Sequence, residues 1–137
     1  MQKYTIYKKF IELIREIYSS KDFIPSHEPI FVGNEKKYLI DVIDSSYVSS
    51  SGKYIENFEK KIRDFTKSKY AIATVNGTSA LHASLKVLGV EENTEVITQS
   101  FTFIATCNAI DYCGAHPVFL DISRETLSLS AEALGNF

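Results

Sequence analysis

The sequence predicts an α/β fold in which a helical leader precedes a parallel β-α-β-α-β core. Two observations predict it. Residues 4–18, 34–45 and 54–67 place their apolar side chains at helical spacing. From residue 70 onward, short apolar runs alternate with helix-length amphipathic segments. Strands separated by helices run parallel and join by right-handed crossovers. The composition is that of a globular chain: 137 residues, 45% hydrophobic and 23% charged, with a net charge of -2. That balance excludes disorder, and 6 glycines with 3 prolines exclude collagen-like or low-complexity sequence.

The first helix carries Ile6, Phe10, Leu13 and Ile17 on one stripe, with Tyr7, Ile11, Ile14 and Tyr18 beside it. So wide an apolar surface needs a partner. Pro25, Pro29 and Gly33 mark an extended linker over 22–32. Tyr38, Leu39, Val42 and Ile43 give the second helix its face. A loop of small polar residues, 46–53, leads into the third helix. There Phe58, Ile62 and Phe65 align, and Glu59/Arg63 and Lys60/Asp64 are spaced as surface pairs. Tyr70–Val75 reads as a buried strand. Asn76-Gly77-Thr78-Ser79 turns into a helix ending near Leu88-Gly89. Residues 95–98 form a second strand, 102–112 a helix stopped by Gly114, and 117–122 a third strand with its proline at the start. Ser130 caps a last helix beginning at Ala131. Three parallel strands leave two open edges, so the sequence is expected to be the opening part of a larger α/β unit.

Several function classes fall away. Residues 1–69 hold 13 Lys/Arg against 10 Asp/Glu, and residues 70–137 hold 2 against 7. Neither half has the dense basic stripe of a nucleic-acid binder; Lys36-Lys37 and Lys60-Lys61 read as solvated helix faces. No run approaches the ~18 apolar residues of a membrane span, and Lys8, Lys9 and Glu12 break any signal-peptide core. Cys107 and Cys113 are too few for a disulfide framework and, six apart on a helix, face different ways; they read as buried thiols, not metal ligands. No metal site is expected, since His27, His82 and His116 are scattered without neighbouring ligands. The expected compartment is the cytoplasm.

Two strand-end segments carry the candidate chemistry. At Asn76-Gly77-Thr78-Ser79, glycine allows an unusual backbone angle and close approach of a ligand. Free N–H groups and the dipole at the start of the following helix favour an anion such as phosphate, and the hydroxyls of Thr78 and Ser79 add hydrogen bonds. The plainer alternative is a helix cap with no ligand. The turn is neither a Walker A loop nor a G-x-G-x-x-G fingerprint. Ser100-Phe101-Thr102-Phe103 follows the next strand at the same carboxyl edge, where open parallel sheets bind ligands. An aromatic there can stack on a planar ring; the alternative is that Phe101 and Phe103 are core residues, as at least one of the pair is expected to be. Asp121 reads as a cap for the turn at Ser123.

These blocks carry a resemblance. Asn76 to His82, Glu95-Val96-Ile97, Ser100 to Thr106, Asn108-Ala109-Ile110 and Gly114 to Asp121 resemble the DegT/DnrJ/StrS-type sugar aminotransferases. These are pyridoxal-phosphate enzymes of fold type I acting on nucleotide-linked keto-sugars. Pro25–Phe31, Gly33-Asn34-Glu35 and Val48–Lys53 through Phe58-Glu59 resemble the branch that aminates C4 of UDP-linked sugars in legionaminic-acid and bacillosamine-type pathways. The resemblance runs from about residue 24 onward.

It implies a helical arm over 1–24, a leader with a substrate-side loop over 25–68, and the start of the large cofactor domain over 69–137. It implies pyridoxal 5'-phosphate as cofactor, its phosphate on Gly77, Thr78 and Ser79 and its ring against Phe103. Ser50, Ser51, Gly52 and Lys53 would lie near the nucleotide-sugar. The partners implied are that sugar, an amino donor such as glutamate, and a second copy in a homodimer; no nucleic acid or membrane is implied. In this family the Schiff-base lysine and the acid that faces the pyridine nitrogen are expected beyond Phe137. No lysine follows Lys86 here. The chain is therefore expected to be an incomplete and inactive part of such an enzyme. A non-catalytic fragment or interaction module, and the dehydratase branch with histidine in place of lysine, are the alternatives.

Overall fold

The structure, a computed structural model, describes the backbone of residues 2–137 and side chains from residue 5 onward. Met1, the first residue of the expected arm, lies outside the described residues. The chain divides into two compact units, Met1–Ser49 and Ser50–Phe137.

The first unit holds α1 (Gln2–Ile17) and α2 (Glu35–Asp44). The apolar stripe of α1 is amphipathic as the spacing dictates, yet Phe10, Leu13 and Ile17 stay exposed. The start of α2 is closed by Glu35, whose carboxylate accepts the Gly33 N–H at 2.9 Å. Asn34 precedes the helix without a side-chain cap.

The second unit holds α3 (Lys53–Thr66), α4 (Gly77–Val87), β1 (Glu95–Gln99), α5 (Ala105–Asp111), β2 (His116–Leu120) and α6 (Ala131–Asn136). β1 and β2 pair in parallel, with Glu95 opposite His116 and Gln99 opposite Leu120. Among the described residues the sheet has these two strands.

The buried strand expected at Tyr70–Val75 does not form. Tyr70, Ile72 and Val75 are exposed and no ladder reaches the segment. Among the described residues its tie to a distant part of the chain is the N–H of Ala73, which donates to Glu59 Oε1 at 2.9 Å. An apolar run suits a buried strand, but a strand also needs a neighbour for its N–H and C=O groups. Glu59 thus serves the segment instead of pairing with Arg63. The other expected pair forms on the exposed face of α3, with Lys60 Nζ 2.9 Å from Asp64. The hydrogen bond and charge of Lys60 hold the Asp64 carboxyl below its ordinary pKa.

The two helices facing the sheet end in the same way. Gly89 and Gly114 take φ of 82° and 77°, a left-handed conformation that costs glycine no Cβ clash. Their N–H groups return to Lys86 and Asp111, and those of Val90 and Ala115 return to Leu85 and Ile110. This Schellman arrangement satisfies carbonyls that a helix end otherwise leaves unpaired. A Cβ on Gly114 would also meet Glu92 Cα at 3.4 Å. Each cap drops an apolar residue into one core, where Ile110, Cys113 and Ala115 are buried against Leu85, Val90 and Val96.

Pro117 is the second residue of β2, not the first. The His116 N–H donates to Thr94 at 2.9 Å, so by alternation the Pro117 nitrogen faces the free edge, where no donor is required. Beyond β2 the Asp121 carboxylate accepts from Ile122 N–H at 2.9 Å rather than capping Ser123. The Ser123 hydroxyl itself accepts from Glu125 and Thr126. Ser130 caps α6 as expected, accepting the Ala133 N–H at 3.1 Å.

Candidate functional site

α4 begins as a helix with a neutral cap. Asn76 is extended, and its Oδ1 accepts the Ser79 N–H at 2.8 Å while its carbonyl accepts from Ala80. Thr74 Oγ1 donates to the same carbonyl at 2.9 Å, which steadies the entry. The first turn of a helix leaves four N–H groups without intrahelical partners. Here the cap takes one, and the N–H groups of Gly77 and Thr78 stay open. The half-buried side chains of Thr78 and Ser79 add two hydroxyls to the same turn. Gly77 does not take the unusual backbone angle expected of it: positive φ falls at Gly52, Gly89 and Gly114. Its contribution is space, because a Cβ built there meets nothing within 4 Å. Two open N–H groups, two hydroxyls and a clear approach make a donor set for an anion. Alanine at Asn76 is expected to cost about 1 kcal/mol of stability in a denaturant melt; a change below ~0.3 kcal/mol would remove the cap from this account.

The second segment leaves β1. α5 starts at Ala105, three residues later than the pattern suggests, because residues 102–104 form a tightened entry. The Phe103 carbonyl accepts from Thr106 N–H at 3.1 Å, and the Thr102 and Thr106 hydroxyls lie 3.0 Å apart. Both phenylalanines face solvent: Phe101 is 61% and Phe103 80% exposed. Neither is core, contrary to the plainer alternative. The loop backbone is held by Gln99, whose Nε2 donates to Phe101 O at 2.7 Å. Sequence reasoning passed over Gln99, since a glutamine at a strand end carries no spacing signal.

α4 leads through the Gly89 turn to the amino end of β1. α5 leaves the carboxyl end of β1 directly. The two helices pack side by side, with Leu85 on the Ile110 cluster and the His82 ring edge-on to Tyr112 at 5.8 Å. His82 Nε2 is buried there without a partner. Ser50, Ser51, Gly52 and Lys53 form the turn into α3, where Gly52 at φ 141° is the residue before the helix. Lys53 Nζ lies 5.1 Å above the Tyr54 ring. Cys107 and Cys113 are free thiols, one half-buried and one buried. Among the described residues no His, Cys, Asp and Glu cluster could hold a metal, and no helix is long and apolar enough to cross a membrane.

The chain is 50% identical over 109 residues to a GDP-perosamine synthase from Vibrio cholerae, covering 80% of this chain and 30% of that protein. An aminotransferase structure from Psychrobacter cryohalolentis superposes with a TM-score of 0.74 at 34% identity, covering 84% of this chain and 29% of its own. NtdA from Bacillus subtilis, solved with its cofactor PMP, superposes with a TM-score of 0.69 at 28% identity, over 85% of this chain and 29% of its own. The chain thus spans about 30% of the length of the curated relatives it matches. The fold is part of a fold type I domain, and the cofactor appears in solved neighbours as PMP in NtdA and as PLP in Spr1654 from Streptococcus pneumoniae. Residues 29–136 match the model of the DegT/DnrJ/EryC1/StrS aminotransferase family, and the chain belongs to that family.

Proposed function

We propose that these residues form the phosphate-and-ring half of a cofactor site in an enzyme that passes an amino group, from glutamate, to the C4 keto group of a nucleotide-linked sugar. The observation that supports the reading is the open first turn of α4, with Phe103 exposed in the loop after β1; the reading puts both at one edge of the sheet. In this reading the N–H groups of Gly77 and Thr78 and the hydroxyls of Thr78 and Ser79 hold the cofactor phosphate. No cationic side chain belongs to that turn. Phosphate charge therefore meets the positive end of the helix, a contribution of up to about 2 kcal/mol in partly buried geometry. Phe103 lies against the ring and excludes water from one face. When bound, pyridoxal phosphate supplies a carbonyl that takes up amino groups and a ring that withdraws electrons. Ser50, Ser51, Gly52 and Lys53 meet the nucleotide-sugar, with Lys53 as the cation for its diphosphate.

The arm over 1–24, the leader over 25–68 and the large-domain start over 69–137 belong to this reading, as do a homodimer and a cytoplasmic setting. The names of the similar GDP-perosamine synthases favour a guanosine-linked sugar over the uridine-linked one that the leader resembles. The larger part of those relatives' length has no counterpart in these 137 residues, so the chain alone is expected to bind cofactor without turning it over.

Titration with pyridoxal phosphate tests the reading. Ligand at about 100 times its Kd stabilises the folded state by about 2.7 kcal/mol and raises the melting temperature by several degrees. Absence of any shift at millimolar cofactor would defeat the phosphate seat. Tighter binding of a UDP-linked than a GDP-linked 4-keto sugar would reverse the choice of base.

A further inference from the structure

We infer that Gln99 is a positioning residue for the aromatic face of this site, an inference that rests on the proposed cofactor reading. Gln99 is the last residue of β1, opposite Leu120 at the end of β2. Its side-chain amide makes two contacts from one nitrogen. It donates to Phe101 O at 2.7 Å, in the loop that follows β1. It also reaches Leu127 O at 3.4 Å, in the turn that follows β2, 28 residues along the chain. One side chain therefore ties together the loops leaving both strands.

The tie matters because of what stands next to it. Only Thr102 separates the pinned Phe101 from Phe103. On the far side Phe103 is held by its own carbonyl, which accepts the Thr106 N–H, and by the contact between the Thr102 and Thr106 hydroxyls. The Phe103 backbone is bracketed from both directions while its ring is four-fifths exposed. A fixed backbone under a free ring presents that ring at a set position before any ligand arrives, and such preorganisation reduces the ordering cost of binding. The other end of the tie is also specific. Leu127 has φ of 55°, a conformation uncommon for a non-glycine residue and costly for a bulky one. Leu127 N–H donates to Ser123 O, and Ser123 N–H to Ser128 O, so the turn is closed locally and its Leu127 carbonyl remains for Gln99.

The phosphate seat lies on a different element, α4, and makes no hydrogen bond to Gln99. Loss of the tie should therefore act on the ring and leave the phosphate alone. Gln99→Glu keeps the size of the side chain and, ionised, cannot donate; Gln99→Ala removes the tie without adding charge. Three quantities are measured on the protein and both variants: amide exchange of residues 100–104 and 124–128, affinity for pyridoxal phosphate, and affinity for inorganic phosphate. Both variants are expected to exchange faster in both loops and to bind pyridoxal phosphate about fivefold more weakly, with inorganic phosphate binding unchanged. Unchanged exchange and cofactor affinity would overturn the positioning role. So would an equal loss for inorganic phosphate, which would mark a general structural effect. If the unaltered protein binds neither pyridoxal phosphate nor phosphate, the cofactor reading itself has failed and Gln99 has no ring to position.

Discussion

Replacing Thr78 and Ser79 together by alanine is expected to weaken pyridoxal phosphate binding about 100-fold. A hydrogen bond to a charged group contributes about 1.5–3 kcal/mol, and the double variant removes two such donors from a dianion. At 1.4 kcal/mol per tenfold, the lower end of that range already gives two orders of magnitude. Binding should not vanish, because the N–H groups of Gly77 and Thr78 belong to the backbone and survive the change. The experiment separates affinity from folding. Among the described residues neither hydroxyl makes a hydrogen bond within the protein, and the Asn76 cap uses the Ser79 N–H rather than its side chain. Alanine is also the better helix former. The double variant should melt at or slightly above the temperature of the unaltered chain while losing cofactor, as read by fluorescence titration. Equal cofactor affinity would place the phosphate elsewhere.

Ile110→Ala is expected to cost about 3 kcal/mol of unfolding free energy. The side chain is 2% exposed and is the centre of the core formed with Cys113, Ala115, Leu85, Val90 and Val96. Truncating a fully buried isoleucine loses its transfer energy and leaves a cavity, about 2–5 kcal/mol in all. The two N–H groups that return to the Ile110 carbonyl are backbone and stay in place. The loss is therefore one of packing and not of the helix cap. Ile72→Ala is the control: its side chain is 84% exposed on the unpaired segment, and the change should stay within about 0.5 kcal/mol. Denaturant unfolding of both variants measures the contrast. A cost below about 1 kcal/mol at Ile110 would show that the α4–α5–sheet core does not hold this unit together.

The two predictions rest on opposite sides of a division that runs through the molecule. Helices α3 and α4, strands β1 and β2 and the Ser130 cap follow from patterns a few residues long. Apolar spacing of three and four, a capping side chain and a glycine after the last turn each act between neighbours in sequence. The hydroxyl-bearing turn Gly77-Thr78-Ser79 was legible for the same reason: a helix start is a local event, and its open N–H groups follow from geometry alone.

What the pattern of residues did not show depends on partners distant in the chain. Tyr70–Val75 has a strand's composition, yet whether it pairs is settled by what lies beside it, and its Ala73 N–H goes to Glu59 instead. Gly77 offers room rather than a special angle, a property of the space around it. Phe101 and Phe103 look alike as core or surface residues until the loop is traced, and Gln99 gains significance only when Phe101 and Leu127 come within reach of its amide. Local conformation is a property of short stretches, because backbone sterics and caps span one turn. Ladders, loop ties and exposure are properties of the folded chain, because their partners meet only when it closes on itself.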